Sequence, residues 1–111
     1  MYLKFEESND KLIVHMIGEL DHHSAEEVRN KIDDKLNQDK IIKLILDFKN
    51  VSFMDSSGIG VVIGRYKKLK MKRGNICISR ATDSIKRVFE LSGMFKIISL
   101  YDTIEEAVQS I

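Results

Sequence analysis

A chain of 111 residues that is 43% hydrophobic is long enough to bury a core without disulfide or metal staples. Its 18 basic and 17 acidic side chains nearly cancel to a net charge of +1, so no overall field directs it to nucleic acid or to an anionic membrane. No apolar run approaches the ~20 residues a bilayer-crossing helix needs, and Met1-Tyr2-Leu3-Lys4-Phe5-Glu6-Glu7 lacks the pattern of a secretory signal.

Proline is absent and no internal repeat is visible, so residues 1–111 are expected to form one domain. The lone Cys77 has no internal disulfide partner, which fits the reducing cytoplasm. Its apolar neighbours Ile76 and Ile78 point to a buried, inert thiol.

Residues 2–7 and 11–17 alternate as two strands, and Ser8-Asn9-Asp10 between them predicts an antiparallel hairpin. Gly18-Glu19-Leu20 closes the second strand, and Asp21-His22-His23-Ser24 leads into a helix. Ser24 and Glu27 have capping-box spacing there, with Ala25, Val28, Ile32 and Leu36 on one face. That helix is expected to end near Asn37-Gln38.

Ile41 to Phe48 is nearly continuous in apolar residues, as in a central strand covered on both faces. A short connector through Asn50 to Met54 then reaches Asp55-Ser56-Ser57-Gly58-Ile59-Gly60. The spacing predicts a helix of about fifteen residues after this turn, with Ile59, Val62, Ile63, Tyr66 and Leu69 as its buried stripe. It closes on Lys67, Lys68, Lys70, Lys72 and Arg73, which complement the negative helix end, and on Gly74 as the stop.

Asn75 to Ser79 reads as the next strand. Thr82 or Asp83 caps a short helix carrying Ile85, Val88, Phe89 and Leu91, and Ser92-Gly93 ends it. Phe95 to Leu100 reads as a last strand. Asp102 and Glu105 form an acidic capping pair before a final helix with Ile104, Ala107, Val108 and Ile111. The order β-β-α-β-α-β-α-β-α defines an α/β fold: a mostly parallel mixed sheet with an antiparallel edge and about four helices. The pattern leaves open whether helices cover one face or both.

Strand, small polar turn, helix is an arrangement that places backbone N–H groups beside two hydroxyls and a carboxylate. Asp55 or Ser56 can serve as the N-cap. A nucleophilic serine would need a base and an oxyanion hole; the order Met-Asp-Ser-Ser-Gly is no nucleophile elbow, and His15, His22 and His23 all lie far upstream. Gly58-Ile59-Gly60-Val61-Val62-Ile63-Gly64 superficially matches a dinucleotide fingerprint, but the hairpin start and the short chain oppose it. The glycines fit close packing of a helix on the sheet or on a partner. Asp21-His22-His23 lacks the further ligands of a metal site, and Asp21 reads as a turn or cap residue. The group Arg65, Lys67, Lys68, Lys70, Lys72 and Arg73 reads as a solvated helix face. No cofactor is expected.

Taken together, Gly18-Glu19-Leu20-Asp21, Phe53-Met54-Asp55-Ser56-Ser57-Gly58-Ile59-Gly60 and Ser92-Gly93-Met94-Phe95-Lys96 resemble the STAS domain family, specifically its bacterial anti-sigma factor antagonists of the sporulation type. The likeness runs through essentially the whole chain. It implies a phosphoacceptor at Ser56, the serine directly after the aspartate, rather than Ser57. It also implies binding of an ATP- or ADP-bound serine kinase that doubles as the anti-sigma factor, and a phosphatase that restores the serine. By this resemblance the chain is a substrate and not a catalyst. It is expected to be a cytoplasmic monomer when free, contacting neither nucleic acid nor membrane. Asp21, Asp55, Ser56, Ser57, Gly58, Ile59 and Gly60 are the expected partner contacts. The alternatives are an antagonist of a general-stress anti-sigma factor and a small serine-dependent or nucleotide-binding enzyme.

Overall fold

β1 (Tyr2–Ser8) and β2 (Lys11–Leu20) form the expected antiparallel hairpin in the computed structural model, which describes residues 1–111. Ser8 pairs with Lys11, so the turn holds two residues rather than three, and Asn9 supplies the left-handed φ of 57° it needs. β3 (Lys43–Met54), β4 (Asn75–Ser79) and β5 (Ser99–Tyr101) follow in parallel, giving one sheet in the order β1-β2-β3-β4-β5. The predicted mixed sheet with an antiparallel edge is therefore present, with four helices: α1 (Ala25–Leu36), α2 (Ser56–Met71), α3 (Asp83–Ser92) and α4 (Ile104–Ser110).

From β2 to β5 each strand is laid down beside the one before it, always in the same direction. Right-handed crossovers then force α1, α2 and α3 onto one face. On that face Leu12, Val14 and Met16 of β2 meet Leu44, Leu46 and Phe48 of β3, under Val28 and Ile32, Val62 and Leu69, and Ile85 and Phe89 of the three helices. Phe48 and Phe89 stack edge to face at 5.1 Å, worth about 1 kcal/mol beyond burial. No crossover constrains α4. It folds back on the other face, where Ala107 caps Ile13, Ile45 and Cys77. Burial there pushes the Cys77 thiol up to about 12, which makes it inert.

Several boundaries depart from the sequence reading. Residues 49–54 are not a connector but the second half of β3, which pairs past two register shifts so that Gly18 faces Val51 and Leu20 faces Met54. Val51 and Met54 are buried three residues apart, a spacing that hides a strand. Phe95 to Leu100 is not one strand. Gly93, at φ 77°, ends α3, Met94–Lys96 make a single 3-10 turn, and β5 begins only at Ser99. Met94 and Ile98 are buried four apart, as a turn requires, and Leu91 is 76% exposed rather than packed. Thr103, not Asp102, caps α4, accepting from the Glu106 N–H at 3.0 Å. At the end of α2 it is Arg73 that takes the left-handed conformation, with φ 58°; Gly74 is required because a Cβ there would lie 2.0 Å from the Ile42 carbonyl oxygen.

The buried face of α2 also differs. Gly58, Val61, Val62, Arg65 and Leu69 are buried, while Ile59, Ile63 and Tyr66 flank the core half-exposed. Arg65 is thus not part of a solvated basic face. Its Nε meets Asp33 Oδ1 of α1 at 2.9 Å, off the direction of a good hydrogen bond, and one terminal nitrogen donates to the Val61 carbonyl at 3.3 Å.

Candidate functional site

β2 and β3 end side by side, with Leu20 opposite Met54, and the chain turns outward at the carboxyl end of the parallel strands. That edge is where open α/β sheets commonly place sites. Asp55 is extended at φ −113°, ψ −169° and is the N-cap of α2: its Oδ1 accepts from the Ser57 N–H at 2.8 Å. Its Oδ2 accepts from the His22 N–H at 3.2 Å, so one carboxylate fastens the head of α2 to the loop between β2 and α1. Desolvation pushes this carboxyl up, but the Ser57 and His22 donors outweigh it and hold the group below its ordinary 3.8.

Asp21 shapes that loop. Its Oδ1 accepts from the N–H groups of His23 at 2.9 Å and Ser24 at 3.2 Å. Ser24 does not form the expected capping box. Its hydroxyl instead donates to the Glu19 carbonyl at 2.8 Å and accepts from the Asp21 N–H at 3.2 Å. The His22 and His23 ring centroids lie 3.9 Å apart with the rings tilted by 39°, and His22 Nδ1 sits 3.6 Å from Asp55 Oδ2.

Ser56 is the first residue of α2 and is exposed; Ser57 is half-buried and turned towards α1. No base hydrogen-bonds to either hydroxyl, the arrangement from which nucleophilic catalysis starts. His15 is occupied elsewhere, its Nδ1 2.6 Å from Asp47 and its Nε2 2.8 Å from Glu6. Gly58 faces inward: a Cβ there would stand 2.4 Å from Met54 Cγ and 2.8 Å from the Leu20 carbonyl oxygen. Of the expected partner contacts, Gly58 therefore seats the helix on the sheet and offers no surface, and half-buried Ile59 leans on the core. Gly60 is different, because nothing lies within 4 Å of the Cβ it lacks. It is exposed one turn after Ser56 and lines a cleft of about 400 Å³ with Ser57, His22, Ala25, Glu26 and Arg29. Sequence reasoning missed Glu26 and Arg29. Their only signal was the spacing that places them a turn apart at the head of α1, beside the Asp-Ser-Ser-Gly turn once the helices pack.

An exposed hydroxyl thus stands at the head of a helix whose cap is tied to a second loop, at the carboxyl edge of a mixed α/β sheet. The chain belongs to the STAS domain family, whose model matches residues 2–107. An anti-sigma F factor antagonist from Paenibacillus polymyxa is 37% identical over 102 residues, 92% of this chain and 87% of that protein. The anti-sigma-B factor antagonist of Bacillus subtilis is 30% identical over 103 residues, 93% of each. Among solved structures, the anti-sigma factor antagonist SpoIIAA in its unphosphorylated form superposes with a TM-score of 0.86 at 32% identity, covering 97% of this chain and 94% of that one. Its phosphorylated form superposes with a TM-score of 0.78 at 32% identity and 97% of both chains.

Proposed function

We propose that this chain is an anti-sigma factor antagonist that binds its anti-sigma factor when Ser56 is free and lets go when Ser56 is phosphorylated. The observation that carries this reading is the position of Ser56: exposed, first in α2 and directly after the capping aspartate. Ser57, half-buried in the cleft beside α1, is the poorer acceptor. The likeness to SpoIIAA, a protein with a phosphorylated form, supports a phosphorylation switch in this chain. On this reading the partner is a serine kinase carrying ATP or ADP, and a phosphatase reverses the mark. The chain itself is then a cytoplasmic substrate, not an enzyme, acting over residues 1–111 as one unit and as a monomer when free. Greater identity to an F-type than to a B-type antagonist favours the sporulation branch over general stress.

The physical switch is local. A phosphate adds about −1.5 to −2 charge at neutral pH. The helix dipole tolerates it, although Asp55 already occupies the Ser57 donor. The fold is therefore retained and the loss of binding arises at the interface, through bulk and through desolvation of the phosphate. Asp21, Asp55, Ser57 and the open surface at Gly60 complete the contact. Ser56→Ala is expected to bind the kinase and resist phosphorylation, whereas Ser56→Asp binds poorly and melts as the parent does. Loss of phosphate uptake in Ser57→Ala, with Ser56 intact, would move the acceptor to Ser57 and overturn the assignment.

A further inference from the structure

The face of the sheet opposite α1–α3 changes character along its length. Near its middle it is polar: Lys4 and Glu6 of β1 stand opposite His15 and Ile13 of β2, and His15 bridges Glu6 and Asp47. Farther along, α4 covers Ile13, Ile45 and Cys77. At the carboxyl end of β2 and β3, however, the same face is apolar and bare. Tyr2 lies directly across from Ile17, and Phe53 pairs beside Glu19, two residues on along β2. Tyr2, Ile17 and Phe53 are 63%, 42% and 50% exposed, although strand alternation would place polar side chains there.

The carboxyl-end rim of this patch is acidic, although Lys4 follows Tyr2 on the same face of β1. Glu19 is next to Phe53, and round the edge towards α1 it borders, with Asp21, a groove of about 350 Å³ over Met1. Asp55 is two residues from Phe53 in the chain. At the opposite end of the molecule Lys40 pairs with Glu7 and Lys43, the first residue of β3, with Asp10, while Lys67, Lys70 and Arg73 stand at the end of α2. Around Ser56 the carboxylates Glu19, Asp21, Glu26 and Asp55 face the single cation Arg29.

We propose that the docking surface for the anti-sigma factor does not stop at α2 but wraps over the strand ends onto this back face. There Phe53, Ile17 and Tyr2 take an apolar partner surface flanked by lysines or arginines. This rests on the reading of Ser56 as the phosphorylation switch. It also refines that switch: a partner with a basic rim does not repel a phosphate by charge, which leaves bulk and desolvation to release it.

The test is binding of the unphosphorylated full chain to its anti-sigma factor with ADP, by calorimetry at low and high potassium chloride. Phe53→Ser and Ile17→Thr are expected to weaken binding at least tenfold with melting unchanged, and Glu19→Lys to weaken it most at low salt. Leu91→Ser, at a more exposed apolar site on α3, is expected to bind as the parent. Tyr2→Ser replaces any variant that fails to fold. Parental affinity in Phe53→Ser and Ile17→Thr, while Ser56→Asp abolishes binding, overturns the extended surface and spares the switch. Full binding by Ser56→Asp overturns the switch instead. A concentration-dependent dimer of the free chain that Phe53→Ser converts to monomer would assign the patch to a second copy and overturn the proposal.

Discussion

A methyl group on Gly58 would press on the Leu20 carbonyl, which is backbone and cannot swing away, as well as on Met54. A methyl group on Gly60 would meet nothing. Gly58→Ala is therefore expected to lower unfolding free energy by about 1–3 kcal/mol, and Gly60→Ala to raise it by about 0.5–1 kcal/mol, because glycine is a poor helix former. Urea denaturation separates the two. The fold has no use for glycine at position 60, so the stabilised Gly60→Ala variant is also expected to bind the anti-sigma factor more weakly. Asp47 supplies a prediction in pH. It is 2% exposed and accepts from Arg80 Nε at 3.1 Å, from His15 and from the Lys49 N–H at 3.1 Å. Burial pushes its carboxyl up, but these donors outweigh burial and leave it below the ordinary 3.8. A carboxyl lowered on folding stabilises fully above its unfolded value and loses that contribution as pH falls through the folded one. Stability is expected to fall below about pH 4 in the parent. In Asp47→Asn that limb is expected to flatten, at a neutral-pH cost of about 3 kcal/mol.

Among the elements, α1 and α2 are joined by contacts that a helical wheel does not show. Burial pushes the Arg65 guanidinium down, Asp33 opposes that, and Arg29 reinforces it. Lys72 Nζ donates to the carbonyls of Leu36, Gln38 and Ile41 at 2.7, 3.2 and 2.6 Å, closing the end of α1 from the end of α2. Lys72→Met leaves those carbonyls short of a donor and is expected to destabilise by about 1–3 kcal/mol in thermal melts. The basic run of α2 was legible as a dipole complement, but Arg65 and Lys72 were not separable from their solvated neighbours. Which cation turns inward depends on what the preceding helix offers. The same limit explains the misplaced elements. Periodicity found every helix and the strands that alternate or run apolar, yet it lost β3 at its register shifts and β5 at the 3-10 turn, where burial follows spacings of three and four. Asp55 was legible because caps and turns are local chemistry, whereas the assignment of Ser56 as acceptor came from the resemblance. Glu26 and Arg29 were hidden because only helix packing brings them to the cleft.

At the scale of the molecule, the proposed switch asks one modification at one end of the particle to govern an encounter without disturbing the core. Ser56 projects from the head of α2, and the seating of that helix depends on Gly58, Val61, Val62 and Leu69 on its other side. A shift of ~3 kcal/mol or more at the interface is enough to release a partner, roughly a hundredfold in affinity. The decisive measurement takes the chain phosphorylated to completion by its cognate anti-sigma factor, maps the phosphate by mass spectrometry, and compares affinity and melting with the bare form. The expected result is a single phosphate on Ser56, affinity lowered about a hundredfold or more, and a melting temperature within a few degrees. A phosphate on another residue, undiminished binding, or release that comes only with loss of the folded state would contradict it.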